Sequence, residues 1–268
     1  MTERSGLGTK AWLALVVLFL LSPAFVVIVS SFTAGGYPRF PPDGVSLRWY
    51  EAAFADPGLM SALWLSLRLG VVTALLATIL GAMVAFAVNR YEFPGRSALE
   101  TFFMAPLSLP HLVLGLGLLQ LFSALKLPMS FATLLLGHVL VTAPFAIRMV
   151  TASLARFDVN LERAAMTLGA SYPDVLRTVT LPILRSGLFG ALVFSFIMSF
   201  DEVSMSLFLS SVDTTTLPVK LYTFIEQSAT PLINAVSSIL LVFGFGALWA
   251  IERWVGLDRA FGGRGGHS

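Results

Sequence analysis

Residues 161–182 read LERAAMTLGASYPDVLRTVTLP, and this stretch decides how the rest of the chain is understood. It lies inside a longer segment, residues 151–185, TASLARFDVNLERAAMTLGASYPDVLRTVTLPILR, between two apolar runs. Arg156, Asp158, Glu162, Arg163 and Asp174 make the segment too polar to sit in hydrocarbon. Its local signals predict a helix–turn–helix. Asp158 or Asn160 can cap the first helix, and Gly169 can end it in the left-handed conformation. Ser171 can cap the second, with Pro173 in the first turn and Asp174 three residues on, a variant of the capping box with Asp in place of Glu. Pro182 marks the entry to the next apolar run. A loop organised this way suits insertion into a groove on a partner. An amphipathic helix lying on a membrane surface would carry the same pattern, and local physics leaves both open.

The surrounding chain is extremely apolar. Of 268 residues, 56% are hydrophobic and only 12% charged, with mean hydropathy +0.84. Soluble domains carry about 25% charged residues, so the composition predicts an all-α polytopic membrane protein. A net charge of +2 is small and does not suggest a nucleic-acid partner. There is no cysteine, which removes disulfides, thiol catalysis and thiolate metal sites.

A membrane span needs about 20 mostly apolar residues. Six stretches qualify: 11–32, 61–88, 99–123, 131–150, 186–210 and 233–254. The first is longer than the apolar core of a signal peptide and reads as a retained span. Twelve basic residues fall on one side of this arrangement: Arg4, Lys10, Arg90, Arg96, Arg148, Arg156, Arg163, Arg177, Arg185, Arg253, Arg259 and Arg264. Four fall on the other, Arg39, Arg48, Lys126 and Lys220, and Arg68 lies inside a span. The positive-inside bias predicts both termini in the cytoplasm, in one membrane domain covering residues 1–268. Outside, SLRWYEAAF (46–54) predicts a short amphipathic helix. The third span carries Pro106, Pro110, Gly115 and Gly117, which predicts a bend, either for packing or to line a path.

The loop that opened this section resembles the EAA loop of type I ABC importer permeases, whose pattern is roughly EAA, three residues, Gly, nine residues, Ile-x-Leu-Pro. Arg163, Ala164 and Ala165 fill the first three positions, and Gly169, Val179, Leu181 and Pro182 the rest. The motif's Glu is Arg163 here, with Glu162 one residue earlier, about 100° away around a helix. PLSLPHLVLGLGLL (106–119), SFDEVSMSLFLSS (199–211), the TLPV of Thr216–Val219 and LLVFGFGALWAIERWVGLDR (240–259) are similar to the polyamine, spermidine/putrescine branch. The resemblance implies a six-span permease of the MetI-like fold in a bacterial inner membrane. It implies a second homologous permease, two ATPase subunits and a periplasmic substrate-binding protein as partners. In that picture Glu162, Arg163, Ala164, Ala165, Gly169, Leu181 and Pro182 form the ATPase-coupling loop, and ATP-driven closure of the ATPases drives alternating access. The chain has no GxxxxGK[ST], and its three lysines follow Thr9, Leu125 and Val219, so nucleotide hydrolysis falls to a partner and no cofactor is expected.

One span holds adjacent acids, Asp201 and Glu202. A carboxylate at mid-membrane costs roughly 2.5–3.5 kcal/mol on insertion scales. Ser195, Ser199, Glu202 and Ser206 are spaced to form one stripe of a continuous helix, with Asp201 off it. Three readings compete. Glu202 contacts a cation on the translocation route; the acids form a structural pair with Arg68 or Arg148; or Asp201 hydrogen-bonds a partner permease. His111 and His138 read as hydrogen-bonding residues, since no third metal ligand or nucleophile motif accompanies them, and His267 falls in the Gly-rich tail. Pro144, Gly244 and Gly246 read as packing and kink residues. The rival classes are a channel or an intramembrane enzyme, and neither needs a docking loop. Other solutes for the same machinery are a quaternary amine, an amino-acid derivative or an iron complex.

Overall fold

The computed structural model describes residues 7–228 and 230–255, and these are helical with short connections. The helices are α1 (Leu7–Ser30), α2 (Arg48–Ala55), α3 (Pro57–Arg90), α4 (Arg96–Met104), α5 (His111–Ala124) and α6 (Phe131–Leu154). They continue as α7 (Asn160–Thr167), α8 (Tyr172–Val175), α9 (Leu181–Phe200), α10 (Ser206–Leu209), α11 (Leu217–Gln227) and α12 (Pro231–Val255). Arg4, Arg259, Arg264 and His267, used above for orientation and tail, lie outside the described residues. Backbone contacts divide the chain into two compact units, 1–60 with 221–251, and 61–220 with 252–268.

In the first unit, α1 is apolar all round and leaves Trp12, Leu18, Phe19 and Leu20 exposed, as a helix facing lipid does. The expected amphipathic helix outside the spans is α2. It is pinned through Tyr50, whose hydroxyl lies 2.6 Å from Ser31 Oγ and 2.8 Å from Ser238 Oγ of α12. The loop before it is tied down by Arg48 and Trp49, both donating to the Gly35 carbonyl. Asp56 caps α3 through the Leu59 N–H at 2.8 Å, with Pro57 as the first helical residue. A Cβ on Gly244 or Gly246 would meet nothing within 4 Å, so among the described residues no close packing contact is seen at either.

The second unit is built on α3, α6 and α9. Its core joins Ala77, Val84, Ala85 and Val88 to Ala146, Ile147, Val150 and Leu154, with Leu184 and Ala191 closing the third side. Small residues set the spacing, as expected where lipid offers no hydrophobic drive between helices. Gly187 and Gly190 of α9 lie against Ser153 and Met149 of α6. A Cβ on Gly81 would stand 2.7 Å from Ala146 Cβ and 2.9 Å from the α6 backbone, so the helices themselves would have to part. Gly81→Ala is therefore expected to cost about 1–3 kcal/mol. A thermal unfolding series in detergent checks this, with the exposed Gly117→Ala as the silent control.

The bend expected in the third span is present, and the fifth predicted span differs from expectation. The stretch 99–123 is two helical pieces, Arg96–Ser108 and His111–Ala124, meeting at 109°. Pro110 supplies no N–H, and Leu109 before it is driven to the extended conformation (φ −107°, ψ 137°), so the chain turns a corner there. The stretch 186–210 is displaced. Its helix begins at Tyr172, passes through one π-helical turn at Leu176–Thr180, and ends at Phe200. Asp201 is its C-cap, and α10 follows after a short turn. Among the described residues four helices are long and apolar enough to cross a membrane, or five if the bent pair is one span; α12 adds a shorter apolar stretch, Pro231–Gly246.

Candidate functional site

The polar loop folds largely as its sequence dictates. The Asp158 carboxylate accepts from the Asn160 N–H at 2.9 Å just ahead of α7, but the cap position is Val159 and not Asp158 or Asn160 as expected, one residue nearer the helix than the carboxylate. Gly169 adopts φ +93° and ends it, a conformation that any Cβ would strain. At α8 the expectation is corrected. Ser171 stands at the cap position, but its hydroxyl donates to the Asp174 carboxylate and makes no bond to the helix backbone. The polar side chain was free to find the nearer carboxylate because both face water.

Two neighbours on α7 part company. Glu162 turns inward, where Arg90 at the end of α3 donates to it from both terminal nitrogens at 3.0 and 3.2 Å, and the Thr180 hydroxyl donates at 2.6 Å. Both side chains are mostly buried, at 17% and 14% exposure. The Arg90 guanidinium also stacks on Phe157, 4.8 Å from the ring centre. Arg163 faces solvent, as does Ala164, while Ala165 is half-covered beside Glu162. Leu181 and Pro182 form the first turn of α9 and are exposed.

The polar stripe expected on one continuous helix is assembled instead around the end of α9. Ser195 and Ser199 are buried on α9, Glu202 in the turn and Ser206 at the start of α10. Glu202, 6% exposed, uses both oxygens within the chain. One accepts from the Met205 N–H at 2.8 Å, and the other lies 2.6 Å from His111 Nδ1 at the start of α5. A proton must lie between that nitrogen and oxygen, so the pair bridges the two broken spans. His138 of α6 sits between the serines, with Nδ1 2.8 Å from Ser199 Oγ and Nε2 2.9 Å from Ser206 Oγ. Ser195 Oγ is buried without a hydrogen-bond partner among the described residues. Asp201 is exposed.

The partners expected for the acids are corrected. Arg68 stacks on Phe131 at 4.6 Å from the ring centre, and Glu202 pairs with His111. Arg148 is exposed on α6 and makes no ion pair with either acid. Sequence reasoning gave Arg90 only a topological role and did not connect either histidine to the serine stripe. Those contacts are long-range, and the only local hint was that His111 follows a double-proline corner.

Comparison with known proteins places this geometry. The family described as binding-protein-dependent transport system inner membrane component matches residues 77–253. The chain is similar to the spermidine/putrescine transport system permease protein PotC of Haemophilus influenzae, with 31% identity over 87% of this chain and 90% of that protein. It is similar to the putrescine transport system permease protein PotI of Escherichia coli, with 30% identity over 88% and 87%. Among solved structures, a bacterial ABC transporter involved in import of the acidic polysaccharide alginate aligns with TM-score 0.71 at 15% identity, covering 95% of this chain and 99% of that one, a likeness of fold. With two thirds of its length under one family description and relatives above 30% identity along most of it, the chain belongs to the binding-protein-dependent inner membrane transport components, the permease subunits of type I ABC importers.

Proposed function

We propose that this permease carries a polyamine, putrescine or spermidine, through a bacterial inner membrane. The observation that carries the solute class is the similarity to permeases named for spermidine and putrescine along most of the chain. An exposed carboxylate at the broken end of the fifth span suits an ammonium group. The apolar helices form one six-span domain, with α4 and α5 as the two arms of the third span and both termini cytoplasmic. A second homologous permease completes the path, two ATPases drive it, and a periplasmic binding protein delivers the solute. Residues 158–182, including Glu162, Arg163, Ala164, Ala165, Gly169, Leu181 and Pro182, couple the ATPases to the helices.

Within the path, Asp201 and Glu202 divide the work. Glu202 holds the turn and joins α9 to α5 through His111, with Ser199 and Ser206 completing the buried cluster through His138. Asp201 is the carboxylate left open to a passing cation, and Ser195 is a spare hydroxyl beside the cluster. Uptake of labelled putrescine and spermidine by cells carrying the complete transporter tests this at matched expression. Asp201→Asn is expected to lower uptake about 10- to 150-fold, on the scale of one lost charged contact of roughly 1.5–3 kcal/mol. Glu202→Gln, which keeps an acceptor for Met205, should retain most of it. The reverse order would move the cation contact to Glu202. No polyamine uptake by an assembled wild-type complex would overturn the solute.

A further inference from the structure

We propose that α7 meets its ATPase with Arg163 as the anchoring charge, so that the ATPase groove must present a carboxylate to this permease. The inference rests on the docking assignment above and adds the polarity of the contact.

The anion on α7 is already committed. Glu162 accepts two bonds from Arg90 and one from Thr180, and its side chain is 14% exposed. A partner could claim it only by leaving Arg90 mostly buried and unpaired, which is strongly unfavourable. The next residue points about 100° away. Arg163 is exposed, and its guanidinium has no hydrogen bond or ion pair among the described residues. Its neighbours on the same helix face are Val159, Asn160, Met166 and Thr167, all exposed. Leu161 is 48% exposed, Met166 44% and Leu168, in the turn at the end of α7, 89%. An exposed arginine beside Val159 and Met166, on a loop that also leaves Leu161 and Leu168 open, has the composition of an interface hot spot, where closure excludes water and strengthens the central pair. Its planar fork is matched by a carboxylate, which accepts two parallel bonds.

The exposed charges nearby are of both signs. Asp158 and Asp174 are each drawn into local bonds, with the Asn160 N–H and the Ser171 hydroxyl. Arg156 and Arg177 are exposed as well. On α7 itself Arg163 is the one exposed charge, and the surface complementary to it is acidic.

The test uses the complete transporter, co-expressed with its own ATPase and purified through a tag on this chain. The readout is the amount of ATPase retained at about 0.15 M salt, where exposed long-range charge effects are largely screened. Arg163→Glu is expected to reduce retention about tenfold, the scale of a misplaced interfacial charge. Exchanging a single groove carboxylate of the ATPase for arginine should restore it. Because Arg163 is exposed, the substitution leaves the permease fold intact, which the yield of purified permease verifies. Gly169→Arg, which strains the loop's turn, is the reference variant. Loss with Gly169→Arg but full retention with Arg163→Glu would overturn the polarity alone. Full retention with both would overturn the docking assignment. Loss with Arg163→Glu and no rescue by any groove exchange would overturn the carboxylate partner.

Discussion

Replacing Arg90 with alanine is expected to destabilise the second unit by about 3–5 kcal/mol, the usual scale for stripping one member from a buried ion pair. The loss has two sources. Glu162 would keep a single donor, Thr180, and remain mostly buried. The stacking contact on Phe157 would also vanish. The check is thermal unfolding of the purified permease, with Glu162→Gln and the double variant completing a cycle. The double variant should be closer to wild type than Arg90→Ala alone, because no uncompensated charge remains. If the single and double variants fall equally, the pair contributes nothing beyond the size of the arginine. Uptake should fall with stability, since the same contacts hold α7 against α3 and the start of α9.

Glu202→Ala is expected to abolish uptake and sharply reduce the yield of folded protein. It removes the acceptor of the Met205 N–H and the partner of His111 at once. Each buried polar group left unsatisfied costs about 1–3 kcal/mol, and hydrocarbon offers no water to relieve it. Asp201→Ala, one residue away and exposed, should leave yield unchanged. The contrast in yield separates a carboxylate that holds the fold from one that meets solute. Equal yields for the two variants would remove Glu202 from its structural role.

What was legible in the sequence was local. The amphipathic α2 and the left-handed Gly169 each depend on residues within a few positions of one another. The apolar runs told which segments are helices because a lipid-facing helix must be apolar along its length. What was hidden is where two of those helices stop. Hydropathy dips at Asp201 and Glu202 but recovers by Leu207–Leu209, and SFDEVSMS holds no Gly or Pro to break a helix. The turn is held by Glu202, whose partner His111 lies 91 positions away. Likewise Arg90 and Glu162 are 72 positions apart. Such contacts are decided by which helices pack, and here that was set by where Gly81, Gly187 and Gly190 let backbones approach. The family motif was clear from spacing, but the direction in which each of its charges points required the folded chain.

The continuous helix from Tyr172 to Phe200 has 29 residues and is about 44 Å long at 1.5 Å per residue. It begins beside the Gly169 turn and ends at the two carboxylates. It is a lever, stiff everywhere except at its one π-helical turn. A tilt of about 5° imposed at the Tyr172 end sweeps the far end by about 4 Å, for a rod of that length. That is the width of a small amine. In the proposed coupling, a modest rotation at the loop thus becomes an atomic-scale displacement at the carboxylates, with the π-helical turn near the loop end as the one place along the rod that can absorb it.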